Sequence, residues 1–176
     1  MAEDTTFMEP FILFELSGTT YGVRSRQVRQ IEMIEHITPV PDAPPFIDGV
    51  VFARGQVIPA VSLRARFGFE RVVNDLRTRL IVLGAGSRTV GLIVDTAREF
   101  LSIPADTVTP PPDEISGLSG RYLEGIASLG KRLVLILDID EVLKLSGAEH
   151  LDLAASQKGE ADEGMPGEQA DSLMSN

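Results

Sequence analysis

The chain has 176 residues, no cysteine, two histidines and a formal net charge of −10. The absence of cysteine excludes disulfides, thiolate metal sites and cysteine nucleophiles, and the lack of clustered lysine and arginine argues against nucleic acid and anionic lipid as partners. An apolar content of 43% is ample for a packed core, whereas no apolar stretch is long enough to insert into a membrane. We therefore expect a folded cytoplasmic protein.

The first predicted element is a β-hairpin. Residues 11–16 and 21–24 are strand-like and surround the short polar turn Ser17-Gly18-Thr19-Thr20. A third strand-like run follows at residues 28–34.

Residues 49–68, GVVFARGQVIPAVSLRARFG, predict a second hairpin followed by a short helix with Ser62 as its N-cap. Arg54 stands at the hairpin turn, between apolar runs on both sides. Two interpretations remain open for this arginine. It extends to water or caps carbonyl groups at the turn, or it anchors a protein interface, a role in which arginine is enriched.

The second half of the chain repeats this order. Residues 79–94 predict a hairpin with its turn at residues 84–87, residues 97–103 follow as a strand, and a further hairpin and helix begin at Gly125. A shift of 69 residues places Gly22 on Gly91, Val28 on Ala97 and Ile31 on Phe100, and a shift of 76 places Gly49 on Gly125 and Ser62 on Asp138. The two shifts differ by seven residues, and an insertion between residues 101 and 121 accounts for this difference. Gly130 replaces Arg54 in the second copy.

Few short strands per half and no long crossover helices predict a mainly β protein with two packed, pseudo-duplicated five-stranded barrels and short helices. We expect one folded region at residues 7–147 that consists of two intertwined β-barrel subdomains, with halves at about 11–75 and 78–147. The acidic segment 148–176 has the composition of a disordered tail.

No residue pattern predicts catalysis, a metal site or a cofactor. His36 and His150 are expected at the surface, and GAGSRTVG has the spacing of a hairpin turn rather than a phosphate-binding loop. Asp138 is predicted to cap a helix, with Asp140 and Glu141 in the first turn, and Asp95 to cap or close a turn. We therefore predict that the protein is not an enzyme.

Several segments, taken together and in order, resemble the CheW-like chemotaxis coupling proteins. The resemblance covers about residues 11–145. It is carried by YGV at 21–23, VRQI at 28–31, PPFIDGVVFARGQVIPAVSLRARFG at 44–68, VGLIVD at 90–95, YLEGIASLGKR at 122–132 and LVLILDIDEVL ending at 143. It implies two SH3-like barrels. It also implies a non-enzymatic adaptor that joins the cytoplasmic tips of chemoreceptors to the regulatory domain of a histidine kinase, in membrane-associated receptor arrays.

The resemblance further implies which residues meet these partners. The receptor tip would lie in a groove between the barrels lined by Val28, Gln30, Ile31, Arg54, Ala97 and Phe100. The kinase would contact Gly125, Ile126 and Leu129.

The chain departs from the family pattern at four positions. Gln30 replaces an acid that pairs with the arginine, Phe52 and Ala53 replace asparagine and leucine, and Ser62 replaces an acid. These departures suggest a paralogue specialised for one receptor or for a non-flagellar system. The alternative is a kinase-binding protein that competes with the adaptor instead of bridging to receptors.

Overall fold

The computed structural model describes residues 6–115 and 120–144, without the side chain of Ile115. The predicted disordered tail and His150 lie outside these residues. The strands are β1 Met8–Leu16, β2 Thr19–Arg24, β3 Val28–Met33, β4 Ile47–Ala53, β5 Gln56–Ser62, β6 Arg79–Ala85, β7 Arg88–Val94, β8 Thr96–Pro104, β9 Val108–Thr109, β10 Leu123–Leu129 and β11 Arg132–Leu137. The α-helices are α1 Leu63–Arg66 and α2 Ile139–Leu143. No helix among the described residues is long and apolar enough to cross a membrane.

The strands form two sheets, which confirms the mainly β prediction. The first has the order β8-β1-β2-β11-β10-β9 and is called barrel 1, and the second has the order β3-β6-β7-β5-β4 and is called barrel 2. The first hairpin of each sequence half lies in the barrel whose other strands come from the other half. Hairpin β1–β2 thus pairs with β8 and β11, and hairpin β6–β7 pairs with β3 and β5.

Each sheet is closed by one bent segment. In barrel 1, β8 pairs with β1, a single 3-10 turn follows at Ala105–Thr107, and β9 then pairs with β10 on the opposite edge. In barrel 2, β3 pairs with β6, and Thr38 exchanges two backbone hydrogen bonds with Val50 of β4. Barrel 1 therefore counts six strands because its closing segment is divided into β8 and β9.

The apolar side chains form three clusters. One lies between the barrels and is called the shared core; its large members include Phe14, Leu16, Leu63, Ile81 and Leu83. Barrel 1 has its own core, which includes Phe11, Leu13 and Ile103, and barrel 2 has one that includes Val51, Leu80 and Val82. Strands β1 and β6 are buried on both faces because each contributes to two clusters.

Gly49 and Gly125, the matched glycines of the repeat, lie where the closing segment crosses a hairpin. A Cβ on Gly49, whose φ is +148°, would lie 2.1 Å from the carbonyl oxygen of Thr38. A Cβ on Gly125 would lie 2.6 Å from Cγ1 of Val108. The duplicated glycine is thus a requirement of barrel closure.

Both predicted helix caps are confirmed. Ser62 Oγ accepts a hydrogen bond from the Ala65 N–H at 3.2 Å, and Asp138 Oδ1 accepts one from the Glu141 N–H at 3.1 Å. Asp140 and Glu141 lie in the first turn of α2, as predicted. His36 is exposed, as predicted.

Candidate partner-binding site

Four of the six residues predicted for the receptor groove lie on one continuous face. Directly paired residues on neighbouring strands point to the same side of a sheet. The residue pairs are Val28 with Leu83, Ile31 with Ile81, Ala97 with Phe14 and Phe100 with Ile12. Leu83, Ile81 and Phe14 belong to the shared core and Ile12 packs against it. We call the surface formed by Val28, Ile31, Ala97 and Phe100 the interbarrel face.

The interbarrel face changes from half-buried to exposed across its width. Val28 and Ala97 pack against the shared core, whereas Ile31 is 38% exposed and Phe100 is 63% exposed. The two halves contribute equally, because Ile31 and Phe100 occupy equivalent positions of the repeat. This surface offers an apolar strip that an amphipathic helix can cover.

Arg54 lies at the tip of hairpin β4–β5 beside this face. Its φ is +52° and that of Gly55 is +76°, so both turn residues adopt the left-handed conformation typical of tight hairpin turns. Its Nη1 donates a hydrogen bond of 3.1 Å to the carbonyl oxygen of Arg29 in β3. Carbonyl capping, one of the two interpretations of this arginine, is therefore present, and the exposed guanidinium retains donors for a partner.

Gln30 lies on the other side of β3. Its partner across the sheet is Val82, which belongs to the core of barrel 2, so Gln30 does not share the interbarrel face. The hydrogen bond from Arg54 reaches the backbone of the preceding residue instead.

The second copy has an acid–arginine pair of its own, formed with a different arginine. Glu99, which a shift of 69 places on Gln30, receives two hydrogen bonds from Arg132, of 3.0 and 3.1 Å. The hydrogen bond with Glu99 raises the pKa of Arg132, against a smaller opposing effect of desolvation. Sequence reasoning missed this pair, because the repeat matches Glu99 with Gln30 but matches Arg132 with Gln56 and not with Arg54.

The three residues predicted to face the kinase lie on β10 with unequal access. Gly125 is buried beneath Val108, and Leu129 packs against the core of barrel 1. Ile126 is half-buried and pairs with Thr109 of β9. Of these side chains, Ile126 is placed to contribute at the outer side of the sheet.

Asp95 connects the two barrels. Its carboxylate accepts hydrogen bonds of 2.8 and 2.6 Å from Arg64 at the start of barrel 2's helix, and one of 2.9 Å from the Ser17 N–H in barrel 1's first turn. Burial alone would raise the pKa of Asp95, but the hydrogen bonds from Arg64 and Ser17 outweigh it and lower that pKa. Asp95 thus accepts a hydrogen bond from the turn at Ser17, 78 residues earlier in the chain, and forms a bidentate ion pair with Arg64.

Within residues 6–115 and 120–144, no three His, Asp or Glu side chains are grouped so that they could hold a metal ion. The described surface combines an apolar strip with an arginine beside it. Such a surface can bury one side of a helix and orient it by hydrogen bonds to carboxylate or carbonyl oxygens.

A family model described as the CheW-like domain matches residues 10–146. The chain is 34% identical over 138 residues to the chemotaxis protein CheW of Klebsiella aerogenes, covering 78% of this chain and 83% of that protein. It is 33% identical over 139 residues to the protein FrzA of Myxococcus xanthus, covering 77% and 86%. Among solved structures, the scaffolding protein TtCheW from Thermoanaerobacter tengcongensis matches with a TM-score of 0.76 and 28% identity, over 82% of this chain and 99% of that one.

Three findings indicate the same family. The two barrels exchange hairpins, the family model matches most of the described region, and the similar proteins are non-catalytic. The chain therefore belongs to the CheW-like family, the non-enzymatic scaffolds that couple receptors to the kinase CheA in chemotaxis.

Proposed function

We propose that this chain binds the helical tip of a chemoreceptor on the interbarrel face, with Arg54 fixing the orientation of the helix. Its other partner is the regulatory domain of a CheA-type kinase, contacted through the β10 side of barrel 1 that includes Gly125, Ile126 and Leu129. The protein acts in the cytoplasm and is recruited to membrane-associated receptor arrays. Receptor and kinase binding make it a bridge, and the similarity to the scaffolding protein TtCheW favours this function over that of a competitor.

The main support is that Ile31 and Phe100 both lie on the side of their sheets that faces the shared core. Ile31 pairs with Ile81, and Phe100 pairs with Ile12. These exposed apolar side chains come from different halves of the repeat and different barrels, so one helix lying between them would contact both. The position of Arg54 beside β3 supports a polar contact at one end of that helix.

The side chain of Gln30 lies on the opposite side of β3 from the interbarrel face. In the second copy, Glu99 engages Arg132 in a bidentate pair. A glutamine at position 30 leaves no such charge to occupy Arg54, which is therefore available for a carboxylate of the receptor. This arrangement supports a scaffold specialised for a receptor with an acidic side chain at that point.

The decisive experiment measures binding of a receptor-tip fragment to the full chain by isothermal titration calorimetry. Phe100→Ser and Arg54→Ala are expected to weaken binding at least tenfold, because each removes one of the proposed contacts. Arg88→Ala is the matched control, since Arg88 is an exposed arginine at the start of β7.

Circular dichroism of each variant verifies the fold. Unchanged affinity in both Phe100→Ser and Arg54→Ala would show that the receptor binds elsewhere. A chain that binds the kinase and lowers its recruitment to receptors would instead support the competitor.

A further inference from the structure

Barrel 2 has an open cleft at the seam where its closing segment leaves β3. The cleft has a volume of about 360 Å³. Its lining comprises Glu32, Met33, Ile34, Glu35, His36, Val51, Phe52 and Leu80. Leu80 and Val51 belong to the core of barrel 2, so the cleft leads from solvent to the barrel interior. A cavity of roughly 150 Å³ already accommodates benzene, so a large apolar side chain fits here.

The rim of this cleft is apolar although it is exposed. Phe52 is 74% exposed and Met33 is 54% exposed, and Val57, which pairs with Phe52, is 49% exposed. Contiguous exposed apolar side chains next to an open cleft are typical of binding sites.

The duplication provides an internal comparison, because barrel 1 has the same seam without this character. The repeat registers place Phe52 on Ser128 and Met33 on Ser102, which are polar. Ile34, which lines the cleft, falls on Ile103, and Ile103 is fully buried in the core of barrel 1. The fold therefore does not require an open seam or an apolar rim, and barrel 2 has both.

Residue sizes explain the opening. Barrel 1 is filled by Phe11 and Leu13 where barrel 2 has Leu80 and Val82. The smaller side chains leave the interior of barrel 2 accessible from the seam.

The charge at the cleft is negative. Glu32 and Glu35 line it, no lysine or arginine does, and neither carboxylate belongs to an ion pair within the described part of the chain. An occupant with positive charge beside its apolar group would complement this rim.

We propose that this cleft is a second protein-docking site, which binds a large apolar side chain presented on a basic segment of a partner protein. Phe52 and Met33 cover the inserted side chain, and Glu32 and Glu35 attract the flanking lysines or arginines. The cleft adjoins the interbarrel face, because Met33 lies two residues after Ile31 on the same side of β3. It gives the scaffold a further surface through which a partner is held while a receptor occupies that face.

The test uses the full chain labelled with ¹³C at the methionine methyl groups, with the Met33 signal as the reporter. The probe is a ten-residue peptide of glycine and serine that carries one phenylalanine between two lysines. Two matched peptides replace the phenylalanine by serine or the lysines by glutamate. We expect the first peptide to shift the Met33 signal in a saturable manner, and each matched peptide to bind at least fivefold more weakly.

Phe52→Ser, which installs the residue of the equivalent position in barrel 1, is expected to weaken the lysine peptide at least fivefold. Leu133→Ser is the matched control, because Leu133 is exposed on barrel 1 at the position equivalent to Val57. Equal binding of the glutamate peptide, or equal loss in both variants, would overturn the proposal. Sedimentation that shows a dimer abolished by Phe52→Ser would also overturn it, by making a second copy the occupant.

This outcome is distinguishable from that of the receptor experiment. Phe100→Ser is expected to leave the Met33 titration unchanged while it weakens the receptor tip. Phe52→Ser is expected to do the reverse.

Discussion

Arg54 has a left-handed backbone conformation, and the equivalent position of the second hairpin is occupied by glycine. Arg54 has a φ of +52°, and Gly130, which occupies the same place in the second hairpin, has a φ of +63°. A left-handed backbone costs a residue with a Cβ roughly 1–2 kcal/mol. Backbone strain of this kind persists where the surrounding structure fixes it, and it is concentrated at functional sites. The strain at Arg54 thus supports its role as the orienting residue.

Arg54→Gly separates these two effects. The variant is expected to gain about 0.5–1 kcal/mol in free energy of unfolding, since glycine relieves the turn while the exposed hydrogen bond to Arg29 contributes little. Its affinity for the receptor tip is expected to fall as in Arg54→Ala. Urea denaturation combined with calorimetric titration measures both quantities, and a stability loss together with full binding would contradict the role of Arg54.

Asp95→Asn tests the ion pair between the barrels through its pH dependence. The folded-state pKa of Asp95 is lowered, whereas an aspartate in the unfolded chain titrates near pH 3.9. Its contribution is therefore complete above the unfolded pKa and is lost as pH falls through the folded pKa. We expect Asp95→Asn to cost about 1–3 kcal/mol at pH 7, because the neutral amide removes the negative charge beside Arg64 and one of the two oxygens that accept its hydrogen bonds.

Below pH 4 the difference between Asp95→Asn and wild type is expected to shrink. Urea unfolding at several pH values from 3 to 7 measures it. A difference that stays constant over this range would show that the charge of Asp95 does not contribute.

Secondary-structure elements follow local sequence closely in this chain. The turn at Ser17-Gly18, the cap at Ser62 and the glycine-containing turn of β6–β7 are local signals, so the hairpins and α1 were predictable. Gly49 is different, because glycine is required there by the carbonyl group of Thr38, eleven residues earlier in the chain. The repeat identified this glycine as important without identifying the contact that requires it.

Gly49→Ala is expected to destabilise the protein by at least about 2 kcal/mol, because its Cβ would overlap the Thr38 carbonyl and its φ disfavours alanine. Gly86→Ala is the control, since Gly86 has a φ of +58° with no atom within 4 Å of an added Cβ, and about 1 kcal/mol is expected there. Thermal unfolding of both variants provides the measurement. Equal losses would show that the close approach at Thr38 is unimportant.

The candidate site was predictable only in part for the same reason. Matching of the repeats paired Val28 with Ala97 and Ile31 with Phe100, and these residues do share one face. The bulge between Val28 and Gln30 changes the register within β3, and Gln30 therefore points toward barrel 2's interior. The cleft depends on the volumes of side chains that meet only after folding, so no local pattern reports it.

At the scale of the whole molecule, the exchange of hairpins was not readable from periodicity. Strands β1 and β6 are apolar on both faces, which is compatible with pairing inside either half. The structure pairs β1 with β8 and β6 with β3, across the halves. Neither half then holds all strands of a barrel.

This arrangement predicts how fragments behave. A fragment of residues 1–76 contains β1–β5 without the strands that β1–β2 and β3 need, and is expected to lack a cooperative unfolding transition. Addition of residues 77–176 is expected to restore it, because the exposed edges are complementary. Circular dichroism during urea titration measures the transition, and a cooperative transition in the first fragment alone would contradict the prediction.

The segment between α1 and β6 joins the two halves that exchange hairpins. Without it, the two half-chains, each of which completes the other's barrel, would form a heterodimer whose population depends on protein concentration. Covalent linkage makes the encounter intramolecular, with an effective concentration in the millimolar range for a short flexible linker. The assembly of the two barrels is thereby independent of how much of the protein a cell contains.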